Sequence, residues 1–318
     1  MNDANPRPID GRLPRVAAIA VLYHPKMESL QRLIGSTVGQ AEAIYVIDNT
    51  PDPAAVVRSF LAAEASVRYI PLGQNVGIAA AQNAGIRASM EAGFTHVLLL
   101  DQDSALPAGM VRNLLAAEAA ILQSGPEVAA VGPQFIDEKT GRPCPAIRHR
   151  WIGIQKLRMD PRSSEPVETD HMIASGSLMR ISVLSKVGLM RDDFFIDWVD
   201  IEWGMRARNM GYKSYYVPNV VMRHSVGDAV VVLFGRDVHL HNNIRNYYML
   251  RNAIYLFRLK SMGWKWKINF LPRIPCYLIL YPLLAKHRAA NLRCVLRGFA
   301  DGLAGRMGEM RKGAASRV

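Results

Sequence analysis

A chain of 318 residues with half its content hydrophobic is long enough for one large domain with an appendage, and excludes a mainly disordered protein. Its net charge of +12 is unevenly placed: residues 245–318 hold 15 Lys and Arg against two acids, Asp301 and Glu309, while residues 1–244 hold 24 basic and 25 acidic residues. The three cysteines (Cys144, Cys276, Cys294) lack metal-ligand spacing and are odd in number, so neither a zinc site nor a disulfide framework is expected.

In chain order, Met1 to Arg15 is polar and lacks the apolar stretch of a secretory signal, so residues 1–14 read as a disordered leader and the working parts as cytoplasmic. "RVAAIAVLY" is an uninterrupted apolar run of the kind a parallel sheet buries on both faces. A helix follows in "KMESLQRLIGSTVG", with Met27, Leu30, Leu33 and Ile34 on one face, and a second strand, "AIYVIDNT", ends in Asp48 and Asn49. "SVRYIPLGQNVG" reads as a third short strand with a Gly/Asn turn, and "IAAAQNAGIRASMEAG" as a small-residue helix closed by Gly93. The fourth strand, in "THVLLLDQDSALP", stops abruptly at two carboxylates. This order predicts an α/β fold with a Rossmann-like sheet and polar residues gathered at the strands' C-terminal edge, where such sheets bind ligands.

Beyond it, "AAVGPQFID" reads as a further strand and residues 141–169 as a loop-rich insertion. "MIASGSLMRISVLSKVG" reads as strand, turn and short helix, "FFIDWVDIEWGMRARNMG" as a helix after an acidic cluster, and "SYYVPNVVMRHSVGD" as a strand running into His224. The change in charge balance sets a boundary near residue 240.

Asp101 and Asp103 stand at i and i+2, which on a strand point the same way, so both could face one hard cation; Asp101 could equally cap the following turn. The C-terminal quarter interleaves Tyr, Trp, Phe and Leu with Arg and Lys. Its longest uncharged run, Ile274 to Ala285, is far short of the ~20 residues a span needs. A segment lying on an anionic membrane surface fits this pattern better than a nucleic-acid surface, with a plain basic helical cap as the remaining alternative.

Five segments in order, "LGQNVGIAAAQNAGIR", "LLLDQDS", "SGSLMR", "FFIDWVDIEWGMRAR" and "RNYYMLRN", make residues 15–260 resemble the GT-A fold, family 2 glycosyltransferases, and their rhamnosyltransferase branch in particular. The resemblance implies a GT-A catalytic domain over residues 15–240, with a nucleotide-sugar half (15–104) and an acceptor half (105–240), ahead of a basic amphipathic helical region (241–318). It implies inverting transfer of L-rhamnose from dTDP-L-rhamnose, with Mg²⁺ or Mn²⁺, to a lipid-linked saccharide, polysaccharide or glycolipid at the inner face of the cell membrane.

On the donor side the resemblance assigns Tyr23 and His24 to the loop around the base, Asp48 to the pyrimidine N–H, and Asn75, Gly77 and Asn83 to the nucleoside and sugar. Asp103, Asp101 and His224 would serve the metal, Asp101 also the ribose, and Arg251 the diphosphate, with Arg245 a further candidate. Asp200, six residues before Arg206, would be the general base, with Asp197 in reserve. Ser175, Gly176, Ser177, Glu202, Trp203 and Arg206 would line the acceptor cleft. Turn capping by Asp48 and helix-dipole stabilisation of the clustered acids are the structural alternatives. A relative using a UDP- or GDP-linked sugar, and a catalytically dead membrane scaffold, stay open, as does homo-oligomerisation.

Overall fold

The computed structural model describes residues 13–224, 229–233 and 236–311, the side chains of 224–240 excepted. The first half alternates strand and helix: β1 (Val16–Leu22), α1 (Met27–Thr37), β2 (Ala43–Asp48), α2 (Ala55–Ala62), β3 (Val67–Pro71), α3 (Ile78–Glu91), β4 (His96–Asp101) and α4 (Met110–Gln123). All of β1 and β2 is buried, as their unbroken apolar sequences require of strands covered on both faces.

The second half is less regular. It comprises β5 (Val128–Asp137), β6 (Ala146–His149), β7 (Ile154–Leu157), β8 (Val167–Thr169), β9 (Leu178–Arg180), α5 (Ile181–Val187), α6 (Val199–Asn209), β10 (Lys213–His224), β11 (Ala229–Leu233) and β12 (Arg236–Leu240). Four helices follow: α7 (Asn243–Leu256), α8 (Trp264–Phe270), α9 (Tyr281–Leu284) and α10 (Arg288–Ala304).

The central sheet runs β3-β2-β1-β4-β9-β5-β10-β8. Its first four strands are parallel, and β9 enters antiparallel between β4 and β5. The expected strand near "MIA" therefore lies later, at Leu178–Arg180, because Gly176 N–H and Ser177 C=O already bond to Leu99 in β4. The stretch expected to be loop-rich carries three short strands: β6 and β7 form a hairpin, and β8 pairs antiparallel with β10 at the sheet's edge.

In the C-terminal quarter, α10 lies along α7 at close range. A Cβ on Gly298 would come within 2.5 Å of Tyr247 O, and one on Gly302 within 2.6 Å of Arg251 O, so only glycine permits this approach. No helix among the described residues is long and apolar enough to cross a membrane.

Candidate active site

The ends of β1, β2 and β4 bring the expected donor-side residues together. Leu22 pairs with Asp48 and Val21 with Asp101, so the two carboxylates flank the end of one strand. Gln102 accepts the Tyr23 N–H at 2.8 Å and Thr50 Oγ1 the His24 N–H at 3.0 Å, which leaves both rings exposed and edge-to-face, 4.5 Å apart. Asp48 is wholly buried, with one oxygen accepting from Thr50 N (3.0 Å) and the other from the Tyr69 hydroxyl (2.9 Å). Burial, reinforced by the Asp48 bond, pushes the Tyr69 phenol up, so it remains a donor. Asn49 and Asn75 join through their amides at 2.8 Å; Asn75 Oδ1 also accepts from Gly77 N, and Asn49 Oδ1 from Val76 N, which ties the Gly/Asn turn to the end of β2.

The two acids after β4 do not share a strand. β4 ends at Asp101, and Ser104 N–H bonds back to Asp101 O at 3.0 Å, so Asp103 stands exposed in a turn and the two-residue strand period does not orient it. Ser104 and Ser175 bond each other at 2.8 Å and both accept from Asp101 N–H, at 3.1 and 3.4 Å. Ser175, Gly176 and Ser177 therefore form a buried seat beneath Asp101, with Ser177 Oγ bonding Ala174 O at 2.6 Å.

Opposite them, the segment before α6 holds three non-glycine residues at positive φ: Phe195 (64°), Asp197 (63°) and Trp198 (67°). Such backbone costs free energy and persists only where its surroundings over-determine it. Here they do. Asn252 Nδ2 reaches the carbonyls of Phe194, Ile196 and Asp197 at 2.8 to 3.0 Å, Ile78 N–H bonds Phe195 O at 2.7 Å, and Trp198 Nε1 bonds Met249 O at 2.9 Å. Gly77 (φ +84°) is needed because a Cβ there would lie 2.6 Å from Phe195 O. The donor-side turn and the acid segment thus lock together.

That segment delivers Asp200 to the first turn of α6. Burial, with smaller contributions from the charges of Asp197 and Asp101, raises its pKa to about 6, against the N–H groups of Ile201 and Ala174, which favour the charged form. Asp200 also lines a cavity with Ser177, Met172, Met190 and Trp203. Asp197 is instead held by Arg245, with a shortest contact of 3.0 Å.

Several residues expected in the cleft serve the scaffold. Arg251 is fully buried, packs over Tyr247 and Tyr248, and gives its N–H groups to Asn252, Asp193, Phe194 and Gly308, so it does not reach a diphosphate. Asn83 bonds both backbone groups of Met190, and its amide also meets Asp192, inside the protein. Glu202 is buried and ion-paired with Arg206, whose other N–H groups bond Val187 O and Leu189 O. Trp203 gives its indole N–H to Gly188 O while its ring faces the cavity beside Asp200. His224 ends β10, but its side chain lies outside the described residues.

Residues 19–188 match the family described as "Glycosyl transferase family 2". The chain belongs to this family. The transferase is also 32% identical over 243 residues, 76% of its length and 80% of the relative's, to a protein named dTDP-rhamnosyl transferase RfbF from Shigella flexneri. Among solved structures, GalNAc-T7 with UDP, GalNAc and Mn²⁺ superposes with a TM-score of 0.60 at 13% identity over 92% of the transferase, which spans 56% of that chain. S. aureus TarS 1–349 in complex with UDP-GlcNAc gives 0.52 at 12% identity, covering 92% of each chain. These likenesses are of fold, a GT-A-like α/β architecture with a central sheet.

Among the described residues of the transferase, no three His, Cys, Asp or Glu side chains converge as a metal cage. Asp101 at the end of β4 and Asp103 in the turn after it carry hard carboxylate oxygens, the donor type Mg²⁺ and Mn²⁺ take, commonly through one or two carboxylates plus water and substrate phosphate. Sequence reasoning gave no role to Thr50, Tyr69, Gln102 or Asn252, which set the position of the site's groups. Asn252 lay within a quoted motif, yet nothing in the motif says that its amide faces three carbonyls.

Proposed function

We propose that this family 2 glycosyltransferase is inverting and metal-dependent, and moves L-rhamnose from dTDP-L-rhamnose to a lipid-linked saccharide at the cytoplasmic face of a membrane. The observation that carries the reading is the placing of acids at the ends of two elements: Asp101 at the end of β4 with Asp103 in the turn after it, and Asp200 in the first turn of α6, its pKa raised by burial and in part by the charge of Asp101. The name of the Shigella relative supports rhamnose and dTDP as the donor.

In this reading Tyr23 and His24 border the base, while Asp48, wholly buried with its oxygens bonded by Thr50 and Tyr69, fixes the end of β2 rather than meeting the pyrimidine N–H as expected. Asn75 and Gly77 shape the turn beside the sugar. Asp101 and Asp103 hold the divalent cation, which when bound supplies positive charge to the leaving diphosphate. Asp200 takes the proton of an acceptor hydroxyl as that oxygen bonds to the anomeric carbon from the face opposite the diphosphate. The bond to the diphosphate breaks with its electron pair going to the nucleotide, so the anomeric configuration inverts. Asp197, paired with Arg245, holds the segment and raises the base, and Ser175 to Ser177 seat the acids from below. A dead scaffold would have no use for a half-buried carboxylate with a raised pKa, because ionising it costs stability.

The test is nucleoside diphosphate release from dTDP-, UDP- and GDP-sugars, with and without Mg²⁺ or Mn²⁺, with membranes as the acceptor source. The reading predicts metal-dependent release confined to dTDP-rhamnose. Release from a UDP- or GDP-sugar instead would replace the donor, and absence of both release and calorimetric nucleotide binding would favour the scaffold.

A further inference from the structure

The basic C-terminal quarter contains a helix that is apolar on two faces. On α8, Trp266 and Phe270 are buried, stacked 4.9 Å apart, and both pack edge-on against Trp198 of the acid segment. On the outer face, Trp264 is 70% exposed, Ile268 47% and, one step past the helix, Leu271 59%, at spacings of four and three residues. Lys267 Nζ lies over the Trp264 ring at 5.3 Å, so the stripe sets large exposed apolar groups beside a cation, which marks an interaction surface.

The stripe does not stand alone. The β6–β7 hairpin closes with His149 opposite Ile154, leaving Arg150 to Gly153 as its tip, where Trp151 is 65% and Ile152 93% exposed. The tip is fastened to α8: Lys265 Nζ lies over the Trp151 ring at 5.2 Å, and Asn269 Nδ2 bonds Arg150 O at 2.8 Å. Residues 258–300 carry nine Lys and Arg and no Asp or Glu. Exposed Trp and aliphatic groups beside cations, with no helix among the described residues able to span, match a surface that inserts shallowly among anionic headgroups; a second copy of so basic a patch would be repelled.

We propose that the β6–β7 tip and the outer face of α8 form one docking surface for an anionic lipid bilayer, resting on the membrane-bound acceptor of the proposed function. Because the inner face of α8 packs on Trp198, two residues before Asp200, docking would bring a lipid-linked saccharide up beside the base.

The test is flotation of the full chain with phosphatidylglycerol/phosphatidylcholine vesicles and with phosphatidylcholine alone. The wild type is compared with a Trp151→Ser/Ile152→Ser pair and a Trp264→Ser/Ile268→Ser pair, each confined to exposed positions, with dTDP release from dTDP-rhamnose to water read in parallel. The proposal expects binding to the anionic vesicles, weakened ~10–100-fold by either pair and by high salt, with release to water unchanged. Equal binding by the hairpin pair, or a concentration-dependent dimer that either pair dissolves, would overturn it. A wild type that fails to bind the anionic vesicles yet releases dTDP normally would sink this inference and leave the transferase reading intact; a wild type that docks without releasing dTDP would do the reverse.

Discussion

A carboxylate that removes a proton from a hydroxyl near neutral pH works best with a pKa above the ordinary aspartate value, and burial is the means by which a protein supplies it. Asp200 sits at about 6 rather than 3.8, with burial the largest cause. The same shift bears on stability. The folded state keeps the Asp200 proton until the pH rises through about 6, whereas the unfolded chain has lost it by about 4, so the stabilisation present at low pH is gone above 6. An Asp200→Asn variant, neutral at every pH, is therefore expected to be more stable than the wild type at pH 8, by on the order of 1–3 kcal/mol, with the gap narrowing towards pH 4. Urea unfolding at the two pH values checks it, and a variant destabilised at pH 8 would contradict it. Asp200 was legible in the sequence through its motif; its partition from Asp197 was not, because only the fold shows Arg245 spent on Asp197.

At the scale of elements, the acid segment is the part most dependent on distant support. Its positive-φ residues are Phe, Asp and Trp, so no glycine advertises the turn, and the sequence shows only a helix start rich in acids. Three carbonyls of this segment converge on the amide of Asn252 in α7. Removing that amide in Asn252→Ala leaves buried carbonyls without their donor and frees the segment to relax, displacing Asp200. Small misplacements of a reacting group are costly, so kcat is expected to fall roughly 10–100-fold, with a smaller rise in KM for the donor through the Gly77 turn that abuts Phe195. Steady-state kinetics beside a thermal melt reads both, and full kcat in a folded variant would show that the clamp does not position the base. Arg251 illustrates the limit of the motif: spacing alone cannot tell an arginine facing phosphate from one buried among carbonyls.

Across the whole molecule, the regular half was the readable half. From β1 to β4 the unbroken apolar strands, the amphipathic α1 and the small-residue α3 announce a parallel sheet, since each follows from one local pattern. The strands β6 to β9 are three or four residues long, and two of them, β8 and β9, take their place from pairing with sequence-distant strands, which no local period records. The hairpin tip likewise reads as loop, and α8 only as part of a basic, apolar quarter suited to a membrane surface, until the fold sets the two side by side. What joins the halves is the proposed site: a sheet edge built by β1, β2 and β4, and Asp200 in the first turn of α6. The most direct test is the pH dependence of kcat for dTDP-rhamnose transfer at saturating metal, in wild type and Asp200→Asn. The wild-type rate is expected to fall tenfold per pH unit below about 6, to level off above it, and to drop at least 100-fold in the variant. A variant that keeps the wild-type rate, or a wild-type profile flat from pH 5 to 8, would contradict the assignment of Asp200 as the base.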